Sequence, residues 1–158
     1  MVRVARLEKR AALVGGLEGR DLSGRNLKGM NFSNANLTGA NLSGADLTGA
    51  NLEGADLRGA DLKGANLWRA NLEGAILTGA DLNSAKLGWA NIKGADLEGA
   101  NLVDASLRMT DLKGANLRGA NLTRADLDWA NLDSATYDDS TILPKNISSG
   151  QLQSMTKV

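Results

Sequence analysis

A large apolar residue recurs at every fifth position along most of this chain. The series runs from Leu22 to Tyr137 over 24 consecutive units, and Phe32 and Ile92 are the other members that are not leucine. The residue two places earlier is small and usually alanine, and the residue between them is usually Asn or Asp. In the unit 40–44 (Ala-Asn-Leu-Ser-Gly) we name these places the alanine position, the outward position, the central position, and the first and second corner positions.

This spacing predicts very short strands that alternate with corners. Residues two apart in an extended chain point to the same side, so the alanine and central positions face inward and the Asn or Asp between them faces outward. Glycine at the second corner position suits a turn that needs a positive φ. An α-helix is excluded because a strict spacing of five would spread the leucines around its surface.

The repeated A-(N/D)-L-x-G unit, over residues 20–142, resembles the pentapeptide repeat family. The resemblance implies an all-β fold, a right-handed quadrilateral parallel β-helix in which four units make one coil, and hence about six coils. It also suggests a cyanobacterial source, because the family is abundant there. Departures from the unit that recur at every fourth unit support the coil length, above all at the second corner position: Arg69, Trp89, Met109 and Trp129.

The open ends of such a stack expose core and unpaired strand edges and therefore need caps. We expect residues 1–19 to form an N-terminal cap, helical between about Val4 and Val14. Residues 20–142 are expected to form the β-helix. Residues 143–158 are expected to form a C-terminal cap or a partly mobile tail.

Composition narrows the function. The chain has 18 basic and 18 acidic residues, so no net field attracts nucleic acid or an anionic membrane, and we expect neither as a partner. Histidine and cysteine are absent, which removes the commonest general base, the commonest metal ligand and all disulfides. We therefore expect no enzyme activity, no catalytic residues, no metal and no cofactor. No segment has the length and apolarity of a secretion signal or a membrane span, which favours a cytoplasmic location.

All three tryptophans of the chain lie on one predicted face, with Trp68 next to the column that holds Trp89 and Trp129. We call it the tryptophan stripe and define it as Trp68, Arg69, Trp89, Met109 and Trp129. With coils about 4.8 Å apart, these side chains form an apolar stripe outside the core. Two interpretations stay open: the stripe binds a protein partner or a second copy of the chain, or its side chains only pack on one another across a distorted corner.

We therefore expect a non-enzymatic scaffold that presents a rigid β-helical surface to a protein partner or to itself. The alternative is a DNA mimic that inhibits or protects a DNA topoisomerase, as some members of the resembled family do. Zero net charge and leucine at nearly every central position disfavour that alternative, although acidic residues gather late in the chain. An ice-binding surface is disfavoured because the threonines are scattered.

The outward column of Asn31, Asn51, Asn71, Asn91, Asp111 and Asn131 is expected to form hydrogen bonds along the rod.

Overall fold

The computed structural model describes residues 16–158, so the N-terminal helix expected between Val4 and Val14 lies outside the described residues. From Asp21 onward the outward residues form isolated parallel β-bridges to the outward residue four units later, as in Asp21↔Asn41 and Asn41↔Asp61. Each coil is therefore four units long, and four columns of bridges give it four walls.

We name the four walls by their outward residues. Wall A begins at Asp21, wall B at Asn26, wall C at Asn31 and wall D at Asn36, and each continues in steps of one coil. Hydrogen bonds between coils run along the rod: the Leu42 N–H donates to the Asp61 carbonyl at 2.7 Å, and the Asp61 N–H donates to the Ala40 carbonyl at 2.9 Å.

Each corner is a tight turn closed by its own hydrogen bond. The Ala45 N–H donates to the Leu42 carbonyl at 3.0 Å, and Gly44 between them has a φ of 63°. Of the backbone N–H groups in a unit, only the one at the first corner position takes no part in this network. The side chain at the outward position accepts from it instead, as Asn41 Oδ1 does from the Ser43 N–H at 3.0 Å. This explains why Asn and Asp dominate the outward positions of all four walls.

The core is a continuous stack of leucines and alanines. From Leu37 to Leu122 the central residues are almost wholly buried, and alanines fill the space between them. Thr110 replaces one alanine and is also buried. Its Oγ1 donates to the Leu87 carbonyl at 2.9 Å, so the polar group is satisfied inside the core.

The coil geometry begins earlier than residue 20, where the sequence pattern places the boundary. Leu17 is buried in the core, and Gly19 has a φ of 61° in a turn closed by the Arg20 N–H and the Leu17 carbonyl. Residues 17–19 therefore belong to the first turn of the coil, because Leu17 and Gly19 fill the central and second corner positions.

Two short strands and one helix, the named secondary-structure elements of residues 16–158, lie at the C-terminal end of the rod. Strand β1 (Thr136–Tyr137) pairs in parallel with β2 (Thr156–Lys157), and helix α1 (Ser149–Ser154) lies between them in sequence. Ile142 continues wall A by bridging to Asn121, one position later than the repeat predicts, because one extra residue is inserted before it. None of the helices in the described part of the chain is long and apolar enough to cross a membrane.

Residues after Ile142 pack against the last coil of the stack. Gln151 on α1 donates from Nε2 to the Leu127 carbonyl at 2.7 Å and the Ala130 carbonyl at 3.3 Å. The Ser148 side chain and Gln151 form a capping box at the start of α1. Met155 follows the helix and is buried against the core. Helix α1 thus replaces the next coil over walls B and C.

Asp138 organises the corner that contains the inserted residue. Its carboxylate accepts from the Ser140 hydroxyl at 2.7 Å and from the Gly119 N–H at 3.1 Å. These bonds, together with one from Thr141, lower the pKa of Asp138 to about 2. The carboxylate therefore stays charged over the whole physiological range and holds the corner of the final coil together.

Candidate functional site

The tryptophan stripe lies along the corner between walls B and C. Trp89 and Trp129 are 52% and 80% exposed, whereas Trp68 and Met109 are each 40% exposed. These are the largest apolar groups exposed on this corner, and they fall in consecutive coils. The structure therefore brings the predicted stripe residues together on one edge of the rod.

The stripe also concentrates unusual backbone conformations. Arg69, Trp89, Met109 and Trp129 have φ values of 56°, 61°, 57° and 61°, in the left-handed region where the other corners mostly use glycine. A residue with a Cβ costs roughly 1 kcal/mol more than glycine in this conformation. Four consecutive coils carry this cost on one corner, where four large side chains, three of them apolar, lie outside the core.

Trp68 is held by a neighbouring coil. It lies at the first corner position, and one coil later Gly88 occupies the same place. A Cβ built on Gly88 would lie 2.7 Å and 2.8 Å from Cζ3 and Cε3 of the Trp68 ring. Gly88 does not have a positive φ, so the reason for glycine here is the close approach of the indole.

We expect Gly88→Ala to lower the free energy of unfolding by about 1 kcal/mol, at the low end for overpacking, since the partly exposed Trp68 ring can move into solvent. Urea unfolding measures the loss, and tryptophan emission should shift to longer wavelength. In a Trp68→Ala background the same change should cost almost nothing. An equal cost in both backgrounds would show that the indole contact is not the reason for glycine.

Two outward positions next to the stripe lack the usual Asn or Asp. Lys86 and Ser106 stand there, and the N–H groups of Gly88 and Arg108 consequently have no hydrogen-bond partner among residues 16–158. Thr110, the buried departure at an alanine position, follows Met109 directly. Departures at the outward, first corner, second corner and alanine positions therefore meet at this single corner.

Charge is unevenly distributed along the stripe. At its C-terminal end Arg108 Nη1 lies 2.8 Å from Asp128 Oδ2 and 3.3 Å from Asp126 Oδ2, so two carboxylates share one guanidinium. At its N-terminal end the Arg69 side chain has no ion pair or hydrogen bond within the described part of the chain. The two ends of the stripe thus differ in sign.

A cavity of about 630 Å³ adjoins the C-terminal end of the stripe. It lies between the last coil and the segment around α1, where the rod has no further coil on walls B and C. Carboxylate, amide and hydroxyl groups surround it together with one indole, and its lining residues are Asp128, Trp129, Ala130, Asn131, Asn146, Ser148 and Gln151. This lining suits a cationic group, because it offers oxygen acceptors and an aromatic face.

The outward side chains of wall C form hydrogen bonds with one another along the rod. On wall C the predicted amide bonds are confirmed where Asn71 donates to Asn51 at 3.3 Å, Asn91 to Asn71 at 3.1 Å and Asn131 to Asp111 at 3.2 Å. Between residues 16 and 158, no three acidic side chains come close enough together to hold a metal ion. Wall C is therefore explained by hydrogen bonding within the rod.

Comparison with known proteins decides the family. The family model described as pentapeptide repeats matches in eight copies, over residues 21–54, 55–94, 80–119 and 100–136. The chain belongs to the pentapeptide repeat family. Its fold is accordingly that of the family, a right-handed β-helix solenoid.

Solved structures of other members resemble this pentapeptide repeat protein. One is alr5209 from Nostoc PCC 7120, which is 38% identical with a TM-score of 0.62, over 65% of this chain and 84% of that one. Another is HetL from the cyanobacterium Nostoc sp. strain PCC 7120, involved in heterocyst differentiation regulation, which is 31% identical with a TM-score of 0.43 over 78% of both chains. A third, the plasmid-mediated fluoroquinolone resistance protein QnrB1, is 17% identical with a TM-score of 0.37 over 89% of both chains. No curated protein matches the sequence.

Sequence reasoning missed two contributors to the corner of this pentapeptide repeat protein. Gly88 stands out because it is a glycine at the first corner position, four units after Trp68, and that spacing was an available signal. Thr110 stands at an alanine position that holds alanine in the three preceding coils. The pattern showed the substitution, but only the structure shows the bond to the Leu87 carbonyl.

Proposed function

We propose that this protein is a non-enzymatic scaffold that binds a protein through the tryptophan stripe. The observation that supports this proposal is the meeting of departures from the repeat at one corner, where they expose indole and thioether groups. Tryptophan, methionine and arginine are enriched in protein interfaces, and tryptophan and arginine most often dominate the binding energy.

Rigidity makes the corner well suited to recognition. Most of the backbone N–H groups beneath the stripe are engaged along the rod or within turns, as those of Arg69, Trp89 and Met109 are with the carbonyls of Gly88, Arg108 and Asp128. Side chains mounted on such a backbone lose little conformational freedom on binding, so more of the contact energy appears as affinity. A flat, outward-facing wall also offers little exclusion of water, which disfavours catalysis there.

Photo-crosslinking tests this function. A benzophenone amino acid replaces Met109, and a matched variant carries it at Ile76, which is similarly exposed on wall D at 37%. We expect a protein adduct of defined mass from position 109 in cells of the source organism, none from position 76, and loss of the adduct in Trp89→Ser/Trp129→Ser. Equal or absent labelling at both positions would overturn the proposal and favour simple corner packing.

The DNA-mimic alternative gains no support from the late acidic residues. Asp126 and Asp128 share Arg108, and Asp139 lies 2.5 Å from the Lys157 ammonium. Asp138 is occupied by the bonds of its own corner. A duplex mimic needs a regular series of free carboxylates. These four are wholly or partly engaged within the chain, and of the late acidic residues only Asp133 has no such partner between residues 16 and 158.

A further inference from the structure

We propose that the protein partner of the tryptophan stripe is a second copy of this chain, bound side by side in the opposite direction. This inference rests on the proposed function and adds the identity and orientation of the partner. In such a dimer a two-fold axis crosses the stripe midway between the coils of Trp89 and Met109. Each Arg69 then enters the cavity beside Trp129 and Asp128 of the other copy.

The order of residues in the stripe is self-complementary about that axis. Successive members lie one coil apart, so reversal of one copy places Trp89 opposite Met109 and Arg69 opposite Trp129. The first pair is a sulfur–aromatic contact and the second a cation–π contact, and both are favourable. A closed dimer with the same patch on both copies requires this kind of complementarity.

The charges at the two ends of the stripe favour the same arrangement. The C-terminal end carries two carboxylates against one guanidinium, which leaves one excess negative charge. Arg69 at the opposite end has no partner among residues 16–158 and supplies the missing positive charge. Antiparallel pairing brings these groups together at both ends of the interface.

Parallel pairing would be repulsive. It would set Arg69 against Arg69 and Asp128 against Asp128, and like charges in contact across an interface suppress that orientation. The stripe residues therefore favour antiparallel over parallel pairing of the two copies.

The exposed area sets the expected strength. If full burial of an aromatic side chain covers about 150–250 Å², the exposed fractions of the three tryptophans and Met109 amount to about 300–500 Å² per copy. Stable dimers usually bury more than about 1,200 Å² in total, so this one is expected to be reversible, with a dissociation constant in the micromolar range.

A charge exchange tests the pairing. By sedimentation equilibrium over a dilution series, Arg69→Glu and Asp128→Arg should each raise the dissociation constant about tenfold, and the double variant Arg69→Glu/Asp128→Arg should return to within about threefold of the wild type. Arg58→Glu, the same exchange at the corner between walls D and A, should leave dimerisation unchanged. Additive losses in the double variant would overturn the Arg69–Asp128 contact.

Spin labels at positions outside the five stripe residues test the orientation. The chain has no cysteine, so Lys28→Cys and Ser106→Cys each give one labelled site. With about 4.8 Å per coil, antiparallel copies separate the Lys28 labels by about 34 Å along the rod and the Ser106 labels by about 5 Å. Parallel copies would bring both label pairs equally close and would overturn the inference.

The outcome separates this inference from the proposed function. A wild-type chain that stays monomeric at several hundred micromolar, yet forms an adduct with a foreign protein from position 109, overturns the dimer and keeps the scaffold function. Loss of both dimer and adduct overturns both.

Discussion

Replacing Leu57 by alanine is expected to lower the free energy of unfolding by about 2–5 kcal/mol, the range for removing a buried leucine from a packed core. Leu57 is 0% exposed and packs inside a stack in which each coil touches only its neighbours. Each wall segment is hydrogen-bonded to the segments of the two neighbouring coils, so one segment cannot move inward on its own to fill the cavity. Urea unfolding followed by circular dichroism measures the change.

Leu152→Ala is the matched control for the core substitution. It removes the same atoms from a residue that is 38% exposed on α1, and we expect a loss below about 1 kcal/mol. Similar losses at both positions would contradict a rigid, closely packed interior. They would indicate a core that relaxes around missing volume.

Met155→Asp is expected to release the C-terminal segment and to cost about 3–5 kcal/mol, because it places an unpaired carboxylate against the end of the core. Met155 is 8% exposed. If α1 leaves its place, the carbonyls of Leu127 and Ala130 lose Gln151, and the last strand edge becomes exposed. Open strand edges pair with other chains, so the variant should also aggregate.

Thermal unfolding and light scattering at increasing protein concentration measure both effects of Met155→Asp. Leu152→Asp is the control, since it puts the same charge on the exposed side of α1 and should leave the cap in place. A Met155→Asp variant that melts like the wild type and does not scatter would mean that the C-terminal segment is dispensable for closing the rod.

The period of five was enough to predict the inward and outward faces and the positive φ at the corners. It could do so because central and alanine positions alternate with polar ones in an extended chain, as Leu42 and Asn41 show. The four-unit coil was supported by recurring departures such as Trp89 and Trp129. Periodicity alone does not give the number of units per coil, and that conclusion needed the family resemblance.

Contacts between coils were less predictable. The bonds along wall C were foreseen. The second role of the same side chains, accepting from the first corner N–H as Asn51 and Asn71 do, was not foreseen, because it appears only when every backbone donor is followed to its acceptor. Helix α1 is six residues long and has no buried face. A helix this short leaves little periodic signal, and the Ser148–Gln151 capping box was its only strong mark in the sequence.

The direction of the backbone hydrogen bonds also has a mechanical consequence. Because they run along the rod, a force that pulls its two ends apart acts on each bond in line, and the coils should peel away one after another instead of shearing together. Each coil of four units would release roughly 65 Å of extended chain. Under tension the rod should therefore lengthen in steps, one coil at a time.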